Sequence, residues 1–498
     1  MAAVAPNAFT NPYTRHRPEK NLLYRTVQTY WSLFLKEQSR LGKSIPHFIR
    51  DEFEDYLKCG IPEFGIVRTY CHHCRHSGVV AFSCKRRGFC PSCCARRMND
   101  EAAHLVDQVL PKVAYRQWVI SFPYKLRFLM AYNPNLTNKI LSIFIQTINS
   151  YQKKKAKRYG IRNSKLGSVT FIQRFGSALN LNVHFHSLFA DGVFYKLEEE
   201  YKFFQLHPPT KEELFLLTTK IQSKVIKLVE NLGVDENEQN QSEFNESLLG
   251  DISKMSIGQK AGFGERAGNA LRRYGIHKIE VDPEDNDPYS VNVEGFSLNA
   301  RVLIVKNDRK KLEKLIRYMA RGPVATERLM ESFPNSLVYR LKTPWRDGTK
   351  EVGFSHLDFI ARLVALIPPA KVNMVRYFGV FAPNFKDRKK IVTKPKPDKP
   401  SMEEAVSTSD LLLDKKIKRE RMRWSEMLKR VFKIDVTICP KCQGRLEQIA
   451  VIKDKVVIRA ILKSLNEVSV FVAMEAIDWR GPPTVDEYSQ EPSKDDFW

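Results

Sequence analysis

Two sets of residues have types and spacings that could do metal chemistry, and the first is Asn182-Val-His184-Phe-His186. On an extended strand side chains alternate between faces, so both imidazoles would project to one side and Phe185 to the other. A pair presented this way can hold one divalent ion and leave positions open for substrate oxygens. Paired histidines on a strand also occur as plain surface residues, so the reading needs a third ligand. Gln173 lies eleven residues before His184, at the end of the preceding strand-like run. A hairpin turning near residues 174–178 would bring its carboxamide beside His184. Two imidazoles and one amide oxygen suit Mg(2+) or Mn(2+). The plainer role for Gln173 is an edge hydrogen bond.

The second set is the cysteines, nine in the chain, of which seven fall within residues 59–94. The run YCHHCRHSGVVAFSCKRRGFCPSCCARRM holds Cys71-x-x-Cys74 and Cys90-x-x-Cys93, the spacing of two knuckles that together wrap a tetrahedral zinc. Four thiolates leave no open position, so this zinc is expected to be structural. Cys84, Cys94, His72, His73 and His76 are spare ligands that could replace one of the four. Cys439-Pro-Lys-Cys442 looks like half of a second zinc site, completed from elsewhere by Cys59 or a histidine, or else only a turn. Such clustering argues against a disulfide scaffold and for a reducing compartment, the cytoplasm, with the protein on the chromosome.

Elements that would position these groups can be read from hydrophobic spacing. Residues 20–58 read as helical, and Ala102–Val109 as a short helix closing the cysteine module. Residues 117–122 open a strand-rich region. Leu136, Ile140, Phe144 and Ile148 mark an amphipathic helix that runs into Lys153, Lys154 and Lys155. Strands are expected over 168–173, 183–189 and 193–195, then a helix through Leu214–Leu228. The polar, acidic segment 233–247 reads as a disordered insertion. Strand 302–305, helix 311–321 and strands near 337–341 and 351–355 follow. The expected domains are a helical region 1–58, a zinc-binding domain 59–110, a catalytic domain 111–385, a basic linker 386–430 and a C-terminal module 431–498.

Lys and Arg number 81 against 56 Asp and Glu, a net charge of +25. An excess of that size speaks for a polyanionic partner, nucleic acid first, because each phosphate contact releases a counterion. No apolar run is long enough to span a membrane, and the first twenty residues lack a hydrophobic signal core.

Several segments, taken in order, resemble a known family. They are Cys71-x-x-Cys74 with FCPSC, then RQWVISFPYKLR (116–127), FIQRFGSALNLNVHFHSLFADGVF (171–194) and RYMARGPVATERL (317–329), then HLDFIARLVALIPPAKVNMVRYFGVFAPN (356–384) and CPKCQGRL (439–446). The chain resembles the HUH rolling-circle transposases of bacterial insertion sequences, of the insertion sequence ninety-one and common-region type. The resemblance implies an α+β fold, an antiparallel sheet with flanking helices behind an N-terminal zinc-binding domain. It implies a metal-dependent endonuclease that cuts and rejoins single-stranded DNA at element termini and target through a 5'-phosphotyrosine. The family's two-tyrosine pattern, with tyrosines four residues apart on one helix, is not kept: Lys314 stands four residues before Tyr318.

Tyr318 is the nucleophile this resemblance implies, with Tyr377 in reserve. On a helix Leu312, Leu315, Ile316 and Met319 form one stripe, and Tyr318 falls opposite, near Lys311, Lys314 and Arg321. That placement among cations, where a phosphate would dock, predicts a tyrosine outside the core. Arg86 and Arg87 beside the cysteines, with Lys153, Lys154 and Lys155, complete the expected DNA contacts. An open sheet face around the histidines would favour a single-stranded substrate. Two other functions share some of these features: a replication initiator or relaxase, and a non-catalytic zinc-dependent DNA-binding regulator.

Overall fold

The computed structural model describes residues 17–232, 247–275, 287–332, 336–345, 347–392, 424–432 and 435–466. The expected insertion at 233–247 lies outside these residues apart from Ser247, as does most of the linker. The N-terminal part opens on helices α1 (Leu22–Arg40) and α2 (His47–Lys58), where one continuous helical region was expected. The break falls at Gly42, whose backbone takes φ +67°. A hairpin of β1 (Ile66–Cys71) and β2 (Ser77–Ala81) follows, then α3 (Pro91–His104). Pro91 opens α3 at a position where its missing N–H costs nothing. That start lies well before the short helix predicted over 102–109.

The next part is built on one antiparallel sheet. Strand β3 (Tyr115–Ser121) precedes helices α4 (Tyr124–Ala131) and α5 (Pro134–Arg158). Asn133 caps α5 by accepting from the Leu136 N–H at 2.9 Å, and Pro134 sits at its first turn. Strands β4 (Gly167–Phe175) and β5 (Leu181–Ala190) form the predicted hairpin, with Leu179 in the left-handed region of the turn. The ribbon of β6 (Gly192–Leu197) and β7 (Glu200–Gln205) leads to α6 (Lys211–Asn231), which begins with a full capping box of Thr210 and Glu213.

After α7 (Leu248–Ile257) and β8 (Arg272–Tyr274) come β9 (Ser290–Val293), β10 (Phe296–Asn299), β11 (Leu303–Ile304) and α8 (Arg309–Met319). Strands β12 (Leu329–Ser332), β13 (Ser336–Arg340) and β14 (Glu351–Phe354) pair with β8 in a separate four-stranded sheet. Helix α9 (His356–Leu366), β15 (Val375–Gly379) and the single turn α10 (Arg388–Ile391) complete this part.

The main sheet has the order β15-β4-β5-β3-β10-β9, with β11 also on β3. Its pairings are antiparallel, so the fold is α+β with β4, β5 and β3 at the centre. Alternation gives these strands two apolar faces. Val183, Phe185 and Phe189 pack with Phe144 and Ile148 of α5 on one side. Val169, Phe171 and Leu188 pack with Leu312, Leu315 and Ile316 of α8 on the other. Both faces are covered, which accounts for strands that are buried along their whole length.

The C-terminal part holds α11 (Trp424–Phe432), β16 (Leu446–Ile452) and α12 (Lys455–Asn466). Strand β16 does not stand alone: it joins the edge of β1, with Ile66 opposite Ile452 and Cys71 opposite Leu446.

Candidate active site and cleft

The α8-facing side of the main sheet carries the histidines. Period-2 alternation on β5 sends His184 and His186 to that face together, as expected, and their Nε2 atoms lie 3.0 Å apart. His184 donates from Nδ1 to its near neighbour, the Asn182 carbonyl, at 2.9 Å. That tautomer puts the lone pair on Nε2. His186 Nδ1 meets the Gln117 carboxamide at 2.8 Å, from the neighbouring strand β3. There the Gln117 Nε2 donates to Nδ1, so the neutral His186 ring carries its proton on Nε2, facing His184 Nε2. Burial, with His184 and Arg321 nearby, holds His186 well below the ordinary histidine range, so its ring is neutral. The two rings share that proton in an Nε2–H···Nε2 hydrogen bond, and turning the Gln117 carboxamide end for end would free both Nε2 lone pairs for one cation. Nitrogens about 2.1 Å from one ion at a right angle lie about 3 Å apart, so this spacing is that of a chelating pair.

Gln173 stands directly opposite His184 in the β4–β5 register, so the two share a face. Its Nε2 donates to the Met319 carbonyl at 2.8 Å and reaches the Tyr318 carbonyl at 3.4 Å. Its Oε1 is buried and, among the described residues, has no hydrogen-bond partner. One side chain therefore ties the end of α8 to the histidine strand while keeping an oxygen for a hard cation. The residues present fit an ion of the Mg(2+) or Mn(2+) type.

Tyr318 sits over this group. Its ring meets His186 edge-on, with centroids 5.8 Å apart and planes at 90°. The Arg321 guanidinium lies 4.8 Å and the Lys342 ammonium 5.2 Å from the ring centroid. The expectation of a tyrosine outside the core is overturned: Tyr318 is 1% exposed and belongs to the same buried cluster as Leu312, Leu315, Ile316 and Met319. Tyr318 lies one turn after Leu315 and shares its buried flank, and the sheet is broad enough to cover both. Of the three cations expected beside it, Arg321 is there, whereas Lys314 is exposed on the helix surface and Lys311 half-buried. The open sheet face is overturned with it, since His184 is 3% and His186 1% exposed beneath α8. A second tyrosine is excluded on both sides. Lys314 precedes Tyr318 by four residues, and Gly322 follows by four, where an added Cβ would meet the Cys94 Cβ at 2.7 Å.

A cavity of about 1040 Å³ adjoins this centre, reaching it at Gln173 and at Met319–Pro323. Its far wall is the cysteine module, with Lys85, Arg87, Arg96 and Arg97, and Arg321 and Arg376 line the near side. Asp100 and Glu101 are the acidic groups on its wall, and Tyr377 donates to Glu101 Oε1 at 2.7 Å. The reserve tyrosine therefore sits in the cleft wall rather than at the histidines.

Other expected DNA contacts are placed elsewhere. Arg86 is held by Asp55 at 2.7 Å and Asp51 at 3.4 Å. Lys155 bridges α5 to α6 through Glu213 at 2.8 Å and also meets the Tyr151 hydroxyl at 2.9 Å. Lys153 and Lys154 are exposed on α5, the helix on the opposite face of the sheet from the histidines. Gln117 and Lys342 went unnoticed in the sequence. Gln117 could have been found, since strand alternation from a 115–121 strand aligns it with the histidine face. Lys342 could not, because only tertiary folding brings it to Tyr318.

The cysteines sort differently from the expected Cys71, Cys74, Cys90 and Cys93 site, and Cys59, offered as a completing ligand for Cys439 and Cys442, belongs instead with Cys90 and Cys93. Cys59, Cys84, Cys90 and Cys93 bring four thiols within 4.8 Å of one another. Their Sγ separations include 3.4, 3.6 and 3.7 Å, close to the roughly 3.7 Å edge of a tetrahedron with ~2.3 Å zinc–sulfur bonds. Cys71 and Cys74 are absent from this group because the β1–β2 hairpin carries them away from the start of α3. They join Cys439 and Cys442 in a second tetrad. Cys59 caps the end of α2 and Cys84 closes the loop after β2, which supplies the two missing ligands. Cys94 lies in neither tetrad; burial pushes its thiol up to about 12. His72, His73 and His76 are likewise outside both, with His72 beside Glu447 at 3.4 Å.

An antiparallel sheet with a buried histidine pair and tyrosine, beside a cationic cleft walled by a cysteine module, agrees with a DNA-cleaving enzyme of the transposase class, which the family match shows. Residues 167–389 match the family described as putative transposase, and residues 26–122 match the transposase zinc-binding domain. The chain therefore belongs to the transposases in which that zinc-binding domain precedes the transposase domain. No curated protein and no solved structure matches it. It is a DNA transposase with structural zinc, and among the described residues no helix is long and apolar enough to cross a membrane.

The tetrad of Cys59, Cys84, Cys90 and Cys93 lies wholly within the matched zinc-binding domain. Changing Cys90→Ser and Cys93→Ser together is expected to release one zinc per chain, unfold the module around α3 and weaken DNA binding. Structural zinc contributes on the order of 10 kcal/mol of binding free energy, more than so small a module can replace. Zinc analysis with a filter-binding titration checks this. A double variant that keeps its zinc content and DNA affinity contradicts it.

Proposed function

We propose that this transposase cuts and rejoins single-stranded DNA through a covalent 5'-phosphotyrosine at Tyr318, beside a catalytic Mg(2+) or Mn(2+) held by His184, His186 and Gln173. The observation that carries the reading is the approach of the two Nε2 atoms to 3.0 Å on the strand opposite Gln173, with the Tyr318 ring over His186. The ion, when bound, would polarise the scissile phosphate and offset its developing charge. The Tyr318 oxygen attacks phosphorus in line, a tyrosyl O–P bond forms, the bond from phosphorus to the 3'-oxygen breaks, and that oxygen leaves as a hydroxyl. The number of phosphodiester linkages is unchanged, so a 3'-OH can reverse the step and join strands.

Arg321 and Lys342 set positive charge on the side of the ring where the phosphate must come. Gln173 and Gln117 fix geometry, one by holding the end of α8 and the other by orienting His186. The cleft suits a single strand at element termini or target: its cations track the backbone, and the adjoining buried centre has no room for a duplex. Rolling-circle transposition of an insertion sequence is the process this chemistry serves. The test is incubation of the purified protein with end-labelled terminus oligonucleotides and Mg(2+) or Mn(2+). A labelled adduct that survives denaturation is expected with single-stranded DNA and not with blunt duplex. Cleavage with no adduct, or adduct formation in excess chelator, overturns the reading.

A further inference from the structure

The cysteines Cys439 and Cys442 lie outside both matched family segments, yet they are built into the fold with the geometry of a ligand-bearing turn. Two turns with matching backbone hydrogen bonds face each other. In one, Arg75 N–H donates to the Cys71 carbonyl at 2.8 Å, and Cys71 N–H to the His76 carbonyl at 2.8 Å. In the other, Gln443 N–H donates to the Cys439 carbonyl at 3.0 Å, and Cys439 N–H to the Gly444 carbonyl at 2.7 Å. Arg75 and Gln443, each following the second cysteine of its pair, both take φ +61°. The Gly444 N–H donates to the Cys442 sulfur at 3.4 Å. The sulfurs cross-pair, Cys71 to Cys442 and Cys74 to Cys439, each at 3.5 Å.

We propose that Cys71, Cys74, Cys439 and Cys442 bind a second structural zinc, which latches the C-terminal part of the chain onto the N-terminal hairpin. The ligand pairs come from turns 365 residues apart, so the ion closes most of the 498-residue chain into a loop. The latch does not stand alone. Strand β16 continues from the second turn along β1, and α12 packs on the turn at Pro62–Phe64. On the N-terminal side of that turn, Arg430 of α11 binds Asp107 and also Glu313 of α8, the latter at 2.8 Å. Glu313 in turn pairs with Arg317, next to Tyr318. Four thiolates and no open position give a site with no chemistry of its own: its function is to hold α11 against the helix that carries Tyr318.

The full-length protein serves for the test, with a protease site placed between residues 400 and 401. Zinc is counted per chain before cutting, and the cut protein is then run on native gel filtration. Two zincs are expected, falling to one in Cys439→Ser/Cys442→Ser and, independently, in Cys71→Ser/Cys74→Ser. The cut C-terminal piece should co-elute with the rest in the wild type and separate in either variant. Using both pairs guards against a single variant that fails to fold, since the Cys439/Cys442 change leaves the N-terminal tetrad complete. A wild type with one zinc, a serine variant that keeps two, or a cut piece that stays bound after the second zinc is lost overturns the proposal.

Discussion

Tyr318→Phe is expected to abolish the covalent protein–DNA adduct, lowering its yield on the order of 10³-fold or more, while zinc content and DNA affinity stay as they are. The change removes one oxygen and keeps the ring. Packing against Leu315 and the edge-on contact with His186 depend on the ring, so the fold should persist. DNA affinity comes from the cations of the cleft, which the substitution leaves in place. Loss of a nucleophile, by contrast, removes the only group that forms the intermediate, and such losses are among the largest in enzymes. Denaturing electrophoresis of the labelled product reads the adduct, and filter binding reads affinity. If the phenylalanine protein still forms the adduct, the nucleophile is another tyrosine, and Tyr377 in the cleft wall is the next to change.

His184→Ala and His186→Ala should each reduce cleavage more than about 100-fold, with DNA binding held within a few-fold. Each removes one of two nitrogens that meet at 3.0 Å, leaving a ligand set too small to retain the ion. Both side chains are buried, so truncation also leaves a small void, at a stability cost of about 1–3 kcal/mol. Paramagnetic titration with Mn(2+) separates the two effects. The wild type should bind one ion that the variants lose, at temperatures where thermal melts show all three proteins folded. Full cleavage by either variant makes the histidines structural. Gln117→Leu is a milder companion: it leaves the ligands but frees the His186 ring to rotate, and a loss of about 10- to 100-fold is expected.

Local rules carried much of this protein from sequence alone. Strand alternation was sufficient to put His184 and His186 on one face, because the period of an extended chain is set by covalent geometry. The hairpin itself was legible, but Gln173 stands opposite His184 through a register shift between Gln173 and Phe175; the unshifted register from Phe175 and Leu181 would set it opposite Val183. Helices α5 and α6 were legible in their apolar spacing, and α+β architecture in the way strands and helices follow one another. The cysteine pairs announced structural metal, and the charge excess announced a polyanion.

Partnership across the chain was not legible. Nothing in the spacing of Cys71, Cys74, Cys90 and Cys93 says that the first pair turns away with its hairpin to meet Cys439 and Cys442. Ligand choice depends on where whole elements dock, and the knuckle motif is the same in either arrangement. Burial of Tyr318 was misread for a related reason. A helical wheel ranks residues around one axis, but the width of the buried face depends on how much of the helix the sheet and α3 cover. Lys342 reaches the Tyr318 ring, and Lys155 is spent on Glu213, through contacts between segments far apart in the chain. Sequence periodicity determines which side chains share a face; only the packing of one face on another decides what each side chain meets.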